Sequence, residues 1–465
     1  MTKLPLVVFL SLIVLSASET APCDLPEDFI QEIHSYQPIV DHIVQEIVNG
    51  RFSGQTWEAL AELTDRFGPR MSGTQQLEDA IDYVLGEMHS DGLDNVHGEP
   101  ALVPRWVRGY ERAQLLKPFE KNLPLLGLGS SVGTTQSGIL AELVVVESFT
   151  ELEQLDETEV QGRIVVFAPK WDGYASAGRY RSAGASAASR KGAVATLIRS
   201  ATPFSIGSPH TGSQVYEKDV FPIPTACITV EDAEMLLRIH RKNVTMKVHL
   251  VMEDYNSEPS MSRNTVGELQ GWMQRNNSVV VVTGHLDSWD VGVGSMDDGG
   301  GIMIAWKALT FLKAMDLQPK RTIRALLYTA EEQGLEGEQQ YFESHSIEEF
   351  NIFLESDTGT FDPRGFDFVG NQEASCIFQQ VAKLMTPLNA TYVNAMGSIE
   401  MGLRFLDNGV PGAFLNNANE KYFWYHHSEG DSMLVEDPKS LDKCTALWAA
   451  TAYVLADLSV DLPKS

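Results

Sequence analysis

Residues 279–301 read Val279-Val-Val-Val-Thr283-Gly-His285-Leu-Asp287-Ser-Trp-Asp-Val-Gly-Val-Gly-Ser-Met-Asp297-Asp298-Gly-Gly-Gly301. Their first five residues form an unbroken apolar, β-branched run, the pattern of a strand buried on both faces. A Gly-rich loop follows. From about 300 to 315 the apolar residues Ile302, Ala305, Trp306, Leu309 and Leu312 recur at helical spacing. Strand, loop and helix in this order are the repeating unit of a parallel α/β sheet. The unit recurs downstream, with strands predicted over 322–329 and 352–356 and a helix over 335–344. An amphipathic helix over 441–458 closes the chain.

Upstream, Phe29, Ile30, Ile33, Ile39, Val40, Ile43, Val44, Ile47 and Val48 mark a helical, acidic segment interrupted at Pro38. A second helix is expected over 77–88, ending near Gly92. Between about 116 and 250 the texture differs. Short β-prone runs at 139–146, 164–168, 193–198 and 226–230 alternate with Gly/Ser-rich loops, which points to a separate β-rich module inserted into the larger domain. The expected layout is therefore a signal peptide over 1–18 and an acidic helical segment over 19–49, a candidate pro-segment. A catalytic domain follows in two pieces, 50–115 and 253–465, with the inserted module over 116–252. The expected fold class is a three-layer α/β sandwich with a mostly parallel mixed sheet.

The chain has 465 residues, 35 Lys plus Arg and 63 Asp plus Glu, a formal charge of 35 − 63 = −28. Such a surface repels phosphate backbones, so nucleic acid is excluded as a main partner. At the N-terminus, Lys3 precedes an apolar run from Leu4 to Leu15 and the small residues Ser16, Ala17 and Ser18. Twelve helical residues span about 18 Å, short of the roughly 30 Å hydrocarbon layer, so the run reads as a cleaved signal rather than an anchor. Secretion or delivery to a lysosome-like lumen is expected, with no membrane span. The sequons at Asn243, Asn276 and Asn389 agree with a glycoprotein on that route. The four cysteines, Cys23, Cys227, Cys376 and Cys444, are too scattered for a zinc knuckle, and their pairing is open.

Ligands in open α/β sheets bind at the C-terminal ends of the strands. The three predicted strands end in Gly284-His285-Leu286-Asp287, Ala330-Glu331-Glu332-Gln333 and Asp357-Thr358-Gly359, and the Gly-rich loop adds Asp297 and Asp298. Singly, each has an ordinary explanation. Asp297 before a helix reads as an N-cap, Glu331-Glu332 as solvated surface, and a lone His as a hydrogen-bonded core residue. Together they would repel, since two unit charges 4 Å apart interact at about 4 kcal/mol in an effective dielectric of about 20. Divalent cations resolve that conflict, and mixed imidazole and carboxylate donors suit zinc. A further candidate is Phe423-Trp-Tyr-His426-His427-Ser-Glu-Gly-Asp431.

The set GHLDSWD, SMDDGGG, TAEEQG, ESDTG and HHSEGD resembles the co-catalytic zinc exopeptidases, aminopeptidase-like metallopeptidases with two zinc ions. The resemblance runs from about Leu60 to the C-terminus, and the inserted module is similar to their protease-associated domain. It implies that His285 and Asp357 bind one zinc, Glu332 and His427 the second, and that Asp297 bridges both. His427 is preferred over His426 because the family's ligand lies four residues before an Asp, here Asp431. Glu331 is implied as the general base and Asp287 as the carboxylate hydrogen-bonded to the other ring nitrogen of His285. A cis Asp297-Asp298 peptide, a homodimer and a short-peptide substrate, best a dipeptide with free termini, are implied likewise. One motif departs: the family commonly carries an Asp before a Gly-Val-Pro turn, where this chain has Glu400 before Gly409-Val-Pro411.

Three other readings stand against this one. Gly129-Ser130-Ser131-Val132-Gly133 matches the G-x-S-x-G of serine hydrolases but lies in a Gly/Ser-rich loop without the required strand and helix. A metal-free receptor on the same fold would lack the ligand set, which is complete here. Glutaminyl cyclisation is a different reaction for the same scaffold.

Overall fold

The computed structural model describes residues 23–273, 278–396 and 403–465. The expected signal peptide, the sequon at Asn276 and the Glu400 departure lie outside the described residues.

The main sheet has eight strands in the order Asp94–Val103, Ser260–Leu269, Ile323–Tyr328, Val279–His285, Phe350–Glu355, Gly412–Asn417, Pro363–Val369 and Tyr392–Ala395. The strand at 279–285 runs parallel to both neighbours, and Phe350–Glu355 runs parallel to Gly412–Asn417. Antiparallel pairs flank this parallel centre on both sides. The all-apolar run is buried on both faces as its composition requires. Val280 and Val282 face one core with helices Gly300–Ala314 and Pro438–Asp457, while Val279 and Val281 face the opposite core with Tyr341 and Phe405. Helices thus cover both faces of a mixed sheet, as expected.

The acidic N-terminal segment is part of this body. It forms helices Glu27–His34 and Gln37–Val44, and Pro38 sits in the first turn of the second, where its missing N–H costs nothing. Ile33, Val40, Ile43 and Ile47 are fully buried in the core shared with the closing helix, each contributing about 1.5–3 kcal/mol. Cys23 forms a disulfide with Cys376, while Cys227 and Cys444 are free and buried.

Between Asp94–Val103 and Ser260–Leu269 the chain builds a second eight-stranded sheet, from Glu111–Lys117 to Lys247–Met252. Its strands Ile139–Val146, Ile164–Phe167, Ala195–Arg199 and Thr225–Ile228 are mutually parallel. They are connected through helices that include Tyr174–Arg190 and Val230–His240. The unit is an α/β layer rather than merely β-rich. The 17-residue helix Tyr174–Arg190 escaped the sequence reading because Gly, Ser and Ala dominate it and leave no apolar stripe. In the G-x-S-x-G match, the Ser131 hydroxyl is occupied structurally, accepting from Thr225 N and donating to Val132 O. Asn243 and Asn389 are exposed.

Candidate metal centre

The strand ends converge as their motifs demand. His285 closes its strand, Glu331 and Glu332 follow Ile323–Tyr328, and Asp357 follows Phe350–Glu355. Asp297 comes from the loop before helix Gly300–Ala314, and His427 follows the short helix Tyr422–Tyr425. His285 Nε2 lies 3.3 Å from Asp297 Oδ1 and 3.2 Å from Asp357 Oδ1. His427 Nε2 lies 3.2 Å from Asp297 Oδ2 and 2.9 Å from Glu332 Oε2. Asp297 therefore turns one oxygen to each histidine. Glu331 Oε2 stands 3.9 Å from His285 Nε2. The two adjacent glutamates reach different histidines. Both border a cleft of about 510 Å³ that Asp357, Tyr422 and His426 also line.

The donor set fits a metal. Asp297 Oδ2 and Glu332 Oε1 are buried with no hydrogen-bond partner, an arrangement that is costly without a cation. Asp297, His426 and His427 present ligand atoms within 4.8 Å of one another, as do His285, Asp297 and Glu332, and His285, Asp298 and Asp357. His426 Nε2 also approaches Asp297 Oδ2, at 3.4 Å, so proximity alone does not separate the two adjacent histidines. Their hydrogen bonding differs. His427 Nδ1 faces the carbonyl of Thr211 at 3.3 Å and Nε2 accepts from Trp289 Nε1 at 3.1 Å, which places the proton on Nδ1. His426 Nδ1 has no partner.

The electrostatics are those of crowded anions. Burial pushes the Glu331 carboxyl well above its ordinary range, with Asp357 and Glu332 adding to the shift against His285. Burial likewise pushes Glu332 up to about 7. Asp297 goes the other way: burial is outweighed by His426, His285 and His427, which hold it well below the usual carboxylate range.

Surrounding groups fix this geometry. The Asp297-Asp298 peptide is cis, as the resemblance implied. The Asp298 carboxylate turns inward to accept from His285 N and Gly301 N, both at 3.1 Å. A Cβ on Gly301 would stand 2.2 Å from Asp298 Oδ1 and 2.3 Å from Ser356 O, so this last glycine of the GGG run is required by close approach. Asp287 differs from expectation. His285 Nδ1 bonds the Asp287 carbonyl at 3.0 Å, while the carboxylate lies 3.7 Å away. The carboxylate accepts instead from the N–H groups of Glu331 and Glu332, so it positions the loop that bears them.

Other supports were invisible in the sequence. The Asp431 carboxylate accepts from Ser295 N, Met296 N and Asp297 N. Arg70, fully buried, donates to the carbonyls of Leu286, Val293 and Gly294. The second sheet's loops clamp the site as well. Thr211 N donates to His427 O at 2.8 Å, Ser213 Oγ to Glu332 O at 2.9 Å and Thr202 Oγ1 to Phe423 O at 2.6 Å. His427 lies in the left-handed region at φ 57°, which costs about 1–3 kcal/mol, and the Thr211 bond is one of the contacts that hold it there.

A parallel-centred sheet that delivers a buried cluster of histidines and carboxylates to one cleft defines a metallo-exopeptidase. The chain belongs to peptidase family M28, whose model matches residues 264–452. It is 46% identical to carboxypeptidase Q of Xenopus laevis over 93% of this chain and 92% of that one. It is 44% identical to carboxypeptidase Q of Homo sapiens over 94% and 93%. Among solved structures, a peptidase M28 precursor from Shewanella amazonensis SB2B superposes with a TM-score of 0.88 at 30% identity, covering 93% of this chain and 99% of that one. A zinc aminopeptidase from Bacillus subtilis shares the fold, with a TM-score of 0.67 at 18% identity over 89% and 98% of the two chains.

Proposed function

We propose that this protein is a two-zinc exopeptidase that hydrolyses short peptides, foremost dipeptides with free termini, in a secretory or lysosomal compartment. The observation that carries the reading is the split of Asp297, with Oδ1 toward His285 and Oδ2 toward His427. His285, Asp297 and Asp357 would hold one ion, and Asp297, Glu332 and His427 the other. Bound zinc supplies Lewis acidity to a water molecule and to the scissile carbonyl.

The chain's own residues do the rest. Glu331 takes the proton of the attacking water and delivers it to the leaving amine. The bonds from Glu331 N and Glu332 N to the Asp287 carboxylate keep the two side chains in their separate positions. Among the described residues no helix is long and apolar enough to cross a membrane. The second sheet is the protease-associated-like module in this reading, and two chains associate as a homodimer.

Metal analysis coupled to a dipeptide panel tests the proposal. Two zinc equivalents per chain and chelator-sensitive hydrolysis are expected. Purified protein that stays metal-free in excess zinc, or turnover indifferent to chelator, overturns it. Light scattering of the same sample reads the oligomeric state.

A further inference from the structure

The two metal positions read above are supported from different parts of the chain. Among the described residues, the hydrogen bonds that the second sheet's unit makes to candidate ligands go to Glu332 and His427 alone. Ser213 Oγ donates to the Glu332 carbonyl at 2.9 Å. Thr211 N donates to the His427 carbonyl at 2.8 Å, and His427 Nδ1 donates back to the Thr211 carbonyl at 3.3 Å. The residue before His427 is held too, since His210 Nδ1 donates to the His426 carbonyl at 2.6 Å. The other ligands are braced from the main sheet's own domain. His285 N donates to the Asp298 carboxylate and its Nδ1 to the Asp287 carbonyl, Asp297 N donates to Asp431, and the Asp357 carbonyl accepts from the Tyr422 hydroxyl.

The bonds to Glu332 and His427 come from one arm, residues 200–213, that is fastened to its own unit. The Ser200 hydroxyl accepts from His210 N, Gly207 N donates to Glu231, and Gly129 N donates to the Gly212 carbonyl, each at 2.9 Å. His210 is 1% exposed, so losing its bond leaves the His426 carbonyl unsatisfied away from water. A hydrogen bond to a ligand's main chain fixes the backbone from which its side chain departs. His427, at φ 57°, is strained and relaxes when that hold is lost. Glu332 N reaches the Asp287 carboxylate at 3.4 Å, so the Ser213 bond is the shorter of the two on the Glu332 main chain.

We propose that the second sheet's unit governs the occupancy of one metal position, that of Glu332 and His427, with His210 and Ser213 as its positioning residues, and leaves the position of His285 and Asp357 independent of it. This rests on the two-zinc reading above. The unit's two chain crossings into the main domain pair with each other, Trp106–Val107 with Tyr255–Asn256. A shift of the unit about that ribbon acts through the arm on Glu332 and His427 and not on His285 and Asp357. Seated, the unit completes a two-ion centre. Displaced, it releases one ion and leaves the other.

The test uses the full chain and zinc alone, with affinity read by competition against a chromogenic chelator. Glu332→Ala leaves the ion of His285 and Asp357, and Asp357→Ala leaves the ion of Glu332 and His427. The pair Ser213→Ala and His210→Leu is added to each background. Zinc affinity should fall about 10–100-fold in the Asp357→Ala background, the scale of losing a support behind a ligand, and stay within about 3-fold in the Glu332→Ala background. Ser213→Thr with His210→Asn keeps a hydroxyl and an N–H at those places and should restore most of the loss. A general loss of stability weakens both backgrounds alike. An equal loss in both, a loss confined to Glu332→Ala, or none in either therefore overturns the proposal, while two zinc equivalents in the wild type keep the two-zinc reading. A wild type that takes up one equivalent or none removes that reading and the proposal together. Should the His210→Leu chains fail to fold, Ser213→Ala alone decides. A loss of about 10-fold confined to the Asp357→Ala background supports the proposal, and any other pattern overturns it.

Discussion

Asp431 holds Asp297 by its backbone. The Asp431 carboxylate accepts from Asp297 N at 3.2 Å and from the N–H groups of the two preceding residues at 2.8–2.9 Å. Burial pushes this carboxyl up to about 6, yet the donors around it all call for an acceptor. The placement of Asp297 therefore depends on a residue 134 positions away in sequence.

Asp431→Asn removes the acceptor for Asp297 N while conserving shape. Zinc affinity should fall about 10–100-fold, the usual effect of losing a support behind a ligand. Competition against a chromogenic chelator measures it, and unaltered affinity would show that the loop holds itself.

Glu331→Gln should retain the wild-type metal content and lose at least about 100-fold in kcat, because the amide cannot accept the water's proton. Metal analysis and steady-state kinetics on one preparation decide the matter. A variant with full turnover would remove Glu331 from the base role.

Stability should fall as pH rises from about 5 to about 8. Burial raises Glu111 from 4.5 to about 8, and burial with Asp431 nearby raises Glu436 from 4.5 to about 8. In that window the folded state binds more protons than the unfolded one, so these groups stabilise fully below 4.5 and lose their contribution as pH passes through 8. Glu436→Gln keeps the oxygen that accepts from Thr360 Oγ1 and should flatten the decline. Thermal melts at pH 5 and pH 9 provide the measurement, and parallel pH profiles for the two proteins would contradict the assignment.

The N-terminal segment should remain attached after cleavage. A cut near Asn49 leaves residues 23–49 tied to Cys376 by the disulfide and packed through Ile33, Val40, Ile43 and Ile47. Electrophoresis should release the fragment only after reduction, and Cys376→Ser should cost about 2–4 kcal/mol of stability. Release without reductant would show that the segment is a detachable pro-piece.

His285, Asp297, Glu331, Glu332 and Asp357 could be grouped from the sequence because each follows a strand or precedes a helix, whereas His427, after the short helix Tyr422–Tyr425, was named only through the family resemblance. Hydrophobic periodicity marks those elements locally, and the chain direction of a parallel sheet brings their ends together. The 279–285 strand declared its two-sided burial by an unbroken apolar run. What surrounds the ligands was not legible. Thr202, Thr211 and Ser213 come from a unit whose own helix lacks an apolar stripe, and Arg70 lies more than 200 residues from the carbonyls of Leu286, Val293 and Gly294. The pairing of Cys23 with Cys376 across 353 residues is of the same kind. Local pattern determines which residues form elements and which lie at their ends. Which distant side chain meets an unsatisfied carbonyl, carboxylate or thiol depends on how the packed elements close around it, and only the tertiary structure decides that.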